Sequence, residues 1–244
     1  MAAVANLFSD GLLRSLTPAQ LEQFDDETLR RLANIVRTSQ HDHMESLFTQ
    51  EVASFDAGPL LWLTQHTATE NPQYEKQGLP FLAPFPKRSY FMPLFAEFLA
   101  KRHQLFIPKS RTMMTSWAAM AFAASRAQWH REETVVQTAN EDKCAHLIDY
   151  VRQLWDNQDP WLKDRHPLVK RSTYALAWHG GGEVSSIPSG EGKIRAFHPT
   201  SYVQDESAHI PEGEACLGAV LPTGARVICI SSAAPGWFAD VCQR

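Results

Sequence analysis

The apolar positions of this chain change period several times, and the changes mark out its elements. Near the N-terminus Leu29, Leu32, Ile35 and Val36 recur at helical spacing. Thr17-Pro18-Ala19-Gln20 supplies an N-cap hydroxyl, a first-turn proline and a back-reaching amide, so a helix is predicted to start there. From Glu70 to Arg88 the chain turns polar and carries Pro72, Pro80, Pro84 and Pro86, which predicts an extended connection. Beyond it, short apolar runs alternate with longer helical patterns. A helix is predicted over Phe91 to Lys101 with Pro93 in its first turn, then a strand over Gln104 to Ile107 and an alanine-rich helix over Thr115 to Trp129. A second strand, Thr134 to Gln137, leads into a helix over Glu141 to Asn157 with Leu147, Tyr150, Val151 and Leu154 on one face. Two strand-like runs between Thr173 and Ile187 flank Gly180-Gly181-Gly182, the pattern of a hairpin. Tyr202 to Gln204 and Arg226 to Ile230 are further strand candidates. Alternation of strand and helix predicts an α/β fold with a mainly parallel sheet flanked by helices. The first helical stretch, residues 1–57, reads as a small separate segment before a larger domain over residues 58–244.

Composition narrows the classes without choosing among them. With 244 residues, 44% of them hydrophobic, the chain has enough apolar material for a sizeable core. A formal charge of −4 excludes a uniformly basic surface, so any nucleic-acid contact would need a local patch. No apolar run approaches the ~20 residues of a membrane span, and the N-terminus lacks a basic stretch followed by a continuous apolar one. A soluble protein of the cytoplasm, with no membrane partner, is therefore expected. Cys144, Cys216, Cys229 and Cys242 show no CxxC spacing, so reduced thiols are expected rather than a zinc site or a disulfide framework.

Candidate chemistry sits in two short stretches. Lys109-Ser110-Arg111-Thr112-Met113-Met114-Thr115-Ser116 lies between an apolar strand and the alanine-rich helix, the place and length of a phosphate-binding loop. Such a loop turns backbone N–H groups toward an anion at the positive end of the following helix. On the frame GxxxxGK[S/T], Lys109 takes the first glycine position, Met114 the second, Thr115 the lysine position and Ser116 the hydroxyl position. Three of the four defining residues differ, so the spelling is broken. The physical demands can still be met, since Lys109 offers an ammonium from the other end of the loop and Arg111 a planar donor for the γ-phosphate. Ser116 keeps a hydroxyl for magnesium. An ordinary strand-to-helix turn carrying two solvated cations is the other reading.

The second stretch is Ser201-Tyr202-Val203-Gln204-Asp205-Glu206. An acid at the tip of a strand beside the loop suits magnesium through its water shell, and a neighbouring acid can polarise an attacking water. Asp205 and Glu206 fit those places. Acid pairs also occur at helix starts, where they merely complement the dipole. Weaker constellations are His41-Asp42-His43, read as solvated imidazoles rather than a metal site, and Lys163, Arg165, His166, Lys170 and Arg171, read as a solvated loop. Trp117 and Phe122 read as core.

In this order the stretches resemble the ATPase half of the large terminase subunit, the motor that packages DNA into tailed-phage capsids. Some members carry the loop lysine at its beginning, as Lys109 stands here. Gln137-Thr-Ala-Asn-Glu-Asp-Lys-Cys-Ala145 is similar to the family's strand and helix after the loop, and Ser185-Ser-Ile-Pro-Ser-Gly190 to the approach to its acid pair. Ile230-Ser-Ser-Ala-Ala-Pro-Gly-Trp-Phe238 resembles its coupling motif. The resemblance implies a P-loop ATPase that binds ATP and Mg2+. It implies phosphate binding by Lys109, Arg111 and the loop from Ser110 to Ser116, and magnesium coordination by Ser116 and Asp205. Glu206 would do the acid-base work and Ser232 would couple hydrolysis to movement. Tyr90 stands at the family's adenine contact, although Phe91 replaces the glutamine often found beside it. Arg195 would be a second charge sensor, or a surface cation tying down a loop. Expected partners are double-stranded DNA, a portal protein, a small terminase subunit and further copies in a ring, inside an infected or prophage-carrying bacterial host. The family's nuclease domain has no counterpart here, so a shortened ATPase without DNA-cutting activity is expected, and a non-hydrolysing remnant is the alternative.

Overall fold

The computed structural model describes residues 59–70, 78, 81–100, 104–111 and 113–243. The helix expected from Thr17 and the His41-Asp42-His43 triplet lie outside them, as does Thr112. The first described elements are α1 (Leu60–His66), β1 (Ala68–Glu70), β2 (Leu82–Pro84) and α2 (Phe91–Leu99). Next come β3 (Gln104–Lys109), α3 (Thr115–His130), β4 (Glu133–Thr138), α4 (Glu141–Asp156) and α5 (Pro160–Arg165). After these run β5 (Leu168–Ser172), β6 (Ala175–Trp178), β7 (Glu183–Pro188) and α6 (Glu191–Ile194). The last are β8 (Ser201–Asp205), α7 (Gly213–Val220), β9 (Arg226–Ser232) and α8 (Trp237–Cys242).

Seven strands form one sheet in the order β3-β9-β8-β4-β7-β6-β5. Neighbours from β3 to β7 run parallel, while β7, β6 and β5 pair antiparallel. The strand and helix alternation read from the sequence is thus an α/β sheet flanked by helices. Three expectations need correction. The segment of Lys163, Arg165, Lys170 and Arg171 is no solvated loop, because α5 and the edge strand β5 occupy it. Within the stretch expected to be an extended connection, β2 pairs antiparallel with β1. Also, β3 continues two residues beyond Ile107, so Lys109 is a strand residue paired beside Ser232 of β9.

The alanines of α3 explain where the core sits. Residues Ala118 to Ala124 and Ala127 are all buried, so this helix is covered on nearly every side and small side chains let the backbone approach its neighbours. Phe122 is fully buried against Phe98, with ring centroids 5.3 Å apart, as expected of a core residue. Trp117 is only half-buried and stacks on Tyr150 of α4 at 4.0 Å. The β6–β7 hairpin reaches the same helix through its glycines. Gly180 and Gly181 have φ of +106° and +103°, which glycine alone adopts readily. At Gly182 the requirement is space, since an added Cβ would lie 1.9 Å from the Ala127 carbonyl oxygen. Gly182→Ala is expected to cost about 3 kcal/mol, because helix and hairpin backbones must separate. Urea denaturation checks this, and an unchanged midpoint would refute it.

Between α3 and β4, Glu132 accepts from Arg126 Nε at 3.0 Å and from Arg226 Nη1 at 3.3 Å. Burial alone would raise its pKa, but the hydrogen bond and charge of Arg126, with those of Arg226, hold it below the ordinary 4.5. A carboxyl lowered on folding stabilises the protein above 4.5 and loses that contribution as pH falls through the lowered value. Glu132→Gln should cost about 1–3 kcal/mol at neutral pH. The difference from the unaltered chain should narrow in thermal melts below pH 4.5.

Candidate functional site

Parallel register brings the two sequence stretches together. Lys109 ends β3 opposite Ser232 on β9, and Asp205 ends β8 opposite Ile230 on the same strand. One strand therefore separates the loop lysine from the acid pair, and Ser232 stands between them. Lys109 Nζ donates to Glu206 Oε1 at 2.7 Å, and Ser232 donates to Glu206 Oε2 from its backbone N at 3.1 Å and from Oγ at 2.9 Å. Ser116, in the first turn of α3, donates from Oγ to Asp205 Oδ1 at 2.7 Å. Ser116, Asp205, Glu206 and Ser232 line a cleft of about 470 Å³ with Arg111, Lys143, His146, Leu147, Tyr150 and His209, and Lys109 reaches it through its bond to Glu206.

Backbone geometry at the loop shows how the unusual spelling is accommodated. Met114, at the second glycine position, is left-handed with φ 54° and ψ 24°, a conformation that costs a side-chain-bearing residue roughly 1–2 kcal/mol. Its carbonyl accepts from Ala118 N at 2.9 Å, so the residue also closes the first turn of α3. Thr115, at the usual lysine position, is buried. Ser110 and Arg111 are exposed, and Arg111 borders the cleft. Tyr90, expected at an adenine contact, donates its hydroxyl to the Met113 carbonyl at 2.6 Å and so ties the loop to the start of α2. Phe91 beside it is fully buried. Arg195 pairs with Glu191 on a well-exposed part of α6 and is not among the cleft-lining residues.

Glu206 is held in a strained position. It is left-handed, with φ 56° and ψ 45°, at the turn from β8 into the 3₁₀ segment Ser207–His209. Burial works to raise its pKa, but the Lys109 hydrogen bond and the two from Ser232 prevail and hold it at about 2. Asp205 behaves oppositely. Only 8% exposed, it has its pKa raised above 3.8 by burial, which the Ser116 hydrogen bond and the Lys109 charge offset only in part. Strand β8 tolerates its polar residues because they are paired internally. Gln204 Nε2 donates to Tyr202 Oη at 3.1 Å and to the Gly213 carbonyl at 3.0 Å, and Tyr202 in turn donates to Gln137.

Sequence reasoning missed the other wall of the cleft. Lys143, His146, Leu147 and Tyr150 lie at helical spacing along α4, and the stripe was read only for its apolar members. His209 was missed as well, although it follows Glu206 by three residues. A hard oxygen pair, Ser116 with the nearly buried Asp205, suits Mg2+, which takes few protein ligands and keeps several waters. Among the described residues no group of three or more His, Cys, Asp or Glu side chains is placed to hold a metal.

The architecture is a mainly parallel α/β sheet flanked by helices, with a strand-to-helix loop facing acids at the tip of a nearby strand. The chain is structurally similar to phage large terminases. Against the crystal structure of the HK97 bacteriophage large terminase the TM-score is 0.53 at 9% identity, over 71% of this chain and 36% of that one. The Thermus phage P74-26 large terminase ATPase domain gives 0.49 at 12% identity, over 70% of this chain and 72% of that one. A single-residue variant of that domain gives 0.46 at 12%, over 70% and 73%. No protein-family model and no curated protein matches the chain. Among the described residues no helix is long and apolar enough to cross a membrane.

Proposed function

We propose that the chain is a magnesium-dependent ATPase of the phage large-terminase type, whose turnover drives double-stranded DNA into a capsid. One observation carries the reading: Lys109, Glu206 and Ser232 are hydrogen-bonded together beside the Ser116–Asp205 pair, at the ends of β3, β8 and β9. Lysine has three N–H donors on a flexible stem, so Lys109 can exchange Glu206 for phosphate oxygens. Arg111 at the cleft edge would neutralise charge on the γ-phosphate, and Met113, Met114 and Thr115, with Ser110 and Thr112, would form the loop around it. Ser116 and Asp205 would hold Mg2+, which would supply positive charge to offset that of the phosphates. Glu206 would take a proton from the water whose oxygen bonds to the γ-phosphorus as the bond to the ADP oxygen breaks. A carboxylate held at about 2 by Lys109 and Ser232 is a weak base, so Lys109 must pass from Glu206 Oε1 to phosphate before that step.

Further proposals follow from the same reading. The chain would work as a homo-oligomeric ring with a portal protein and a small terminase subunit, in the cytoplasm of a phage-infected or prophage-carrying bacterium. Residues 1–57 would form a helical segment apart from an ATPase domain over residues 58–244. The tight Lys109–Glu206 pair also favours a second reading, a module that binds nucleotide without turnover. Phosphate release from Mg-ATP by the purified chain decides between the two. Release supports the ATPase, binding without release supports the second reading, and no binding overturns both.

A further inference from the structure

The interest of His209 lies in what it does to a neighbour. Its Nε2 lies 3.1 Å from Ser232 Oγ and 3.9 Å from Glu206 Oε2, on the rim of the cleft. Ser232 Oγ donates to Glu206 Oε2 at 2.9 Å, and a hydroxyl has one proton. That proton is committed to the carboxylate, so the imidazole must be the donor, with Nε2–H pointing at the serine oxygen. The hydroxyl is a rotor with no stiffness of its own. Occupying one of its lone pairs from the His209 side leaves its hydrogen directed at Glu206.

The surrounding backbone is built to keep the imidazole there. His209 N donates to the Glu206 carbonyl at 2.8 Å, closing the 3₁₀ turn, and Ala208 N donates to Ser231 Oγ at 3.1 Å. Ser207 Oγ donates back to the Gln204 carbonyl at 2.9 Å. The Ala208 bond ties the turn after β8 to the end of β9, and the other two close that turn around Glu206. Oε2 of the carboxylate takes its two shorter bonds from Ser232 and a longer one, 3.4 Å, from Ser231 Oγ, while Oε1 faces the lysine that would serve the phosphates.

We propose that His209 is a positioning residue for hydrolysis: through Ser232 it fixes Glu206 Oε2 and so orients Oε1 as the oxygen that accepts the proton of the attacking water. This rests on the ATPase reading above. The His209 side chain is 46% exposed, so its removal leaves no buried cavity.

Steady-state hydrolysis of Mg-ATP by the full chain tests it, with His209→Ala, His209→Gln, Ser232→Ala and the His209→Ala/Ser232→Ala double variant. His209→Ala should lower kcat about 10- to 100-fold with KM nearly unchanged, because the loss falls on the base and not on phosphate binding. Glutamine, whose amide nitrogen can donate from a similar place, should recover most of the loss. The alanine effects should fail to add, since both break one chain of hydrogen bonds. Full activity in His209→Ala, a rise in KM matching any loss, no recovery with glutamine, or additive effects would each overturn the proposal. If the unaltered chain binds Mg-ATP but releases no phosphate, the ATPase reading falls and this inference falls with it.

Discussion

Glu206→Gln is expected to reduce ATP turnover about a thousandfold while Mg-ATP still binds, the middle of the range for removing a positioned base. Lys109, Arg111, Ser116 and Asp205 are untouched by the change, so the groups proposed to hold phosphate and metal stay in place. The amide cannot take the water's proton. It also cannot satisfy its neighbours, because both Glu206 oxygens are acceptors in the structure, one for Lys109 and one for the Ser232 N–H and Oγ–H and, at 3.4 Å, the Ser231 Oγ–H. An NH2 group must face one set of donors, and the Ser232 side is the less costly since Lys109 carries a full charge. The variant should therefore lose coupling to Ser232 along with catalysis. Rapid-quench measurement of bound ATP separates binding from chemistry, and turnover within tenfold of the unaltered chain would remove Glu206 from the base role.

The fold was legible wherever burial imposes a pattern. Strand β4 is buried from Thr134 to Thr138 and α4 hides Cys144, Leu147, Ile148, Val151 and Leu154, so period and burial agree. Strand β5 escaped because it lies at the sheet edge with Val169, Lys170, Arg171 and Ser172 exposed, which leaves no apolar alternation to read. Helix α1 escaped for another reason: Leu60 to His66 is seven residues with no side-chain cap. The candidate site was half legible. Lys109, Ser116, Asp205 and Glu206 could be singled out as candidates because each has a place relative to a strand end. Their partners across the cleft depend on sheet order, and nothing local says that β9 lies between β3 and β8. The contacts of Glu206 with Ser232 and of Ser232 with His209 therefore appear only once the strands are set in register.

Asp205→Asn is expected to make the protein more stable and to remove its response to magnesium. Burial raises the Asp205 pKa above 3.8, against the lowering effects of the Ser116 hydrogen bond and the charges of Lys109 and Lys143, while Glu206 adds to the rise. A carboxyl raised on folding favours the folded state below 3.8, and that advantage is lost as pH rises through its folded value. At neutral pH the ionised group is a burden on the fold. Asparagine keeps the oxygen that accepts from Ser116 and carries no charge, so a gain of about 1–2 kcal/mol, or a Tm increase of roughly 2–8 °C, should follow at neutral pH. Thermal melts with and without Mg-ATP separate the two consequences. The unaltered chain should gain stability on adding Mg-ATP, since a cation beside the carboxylate removes the cost of its charge, and the variant should gain much less. A variant that melts lower than the unaltered chain would mean that Lys109 and Lys143 already compensate the buried charge, and Asp205 would then be a structural anchor for the loop instead of a metal ligand.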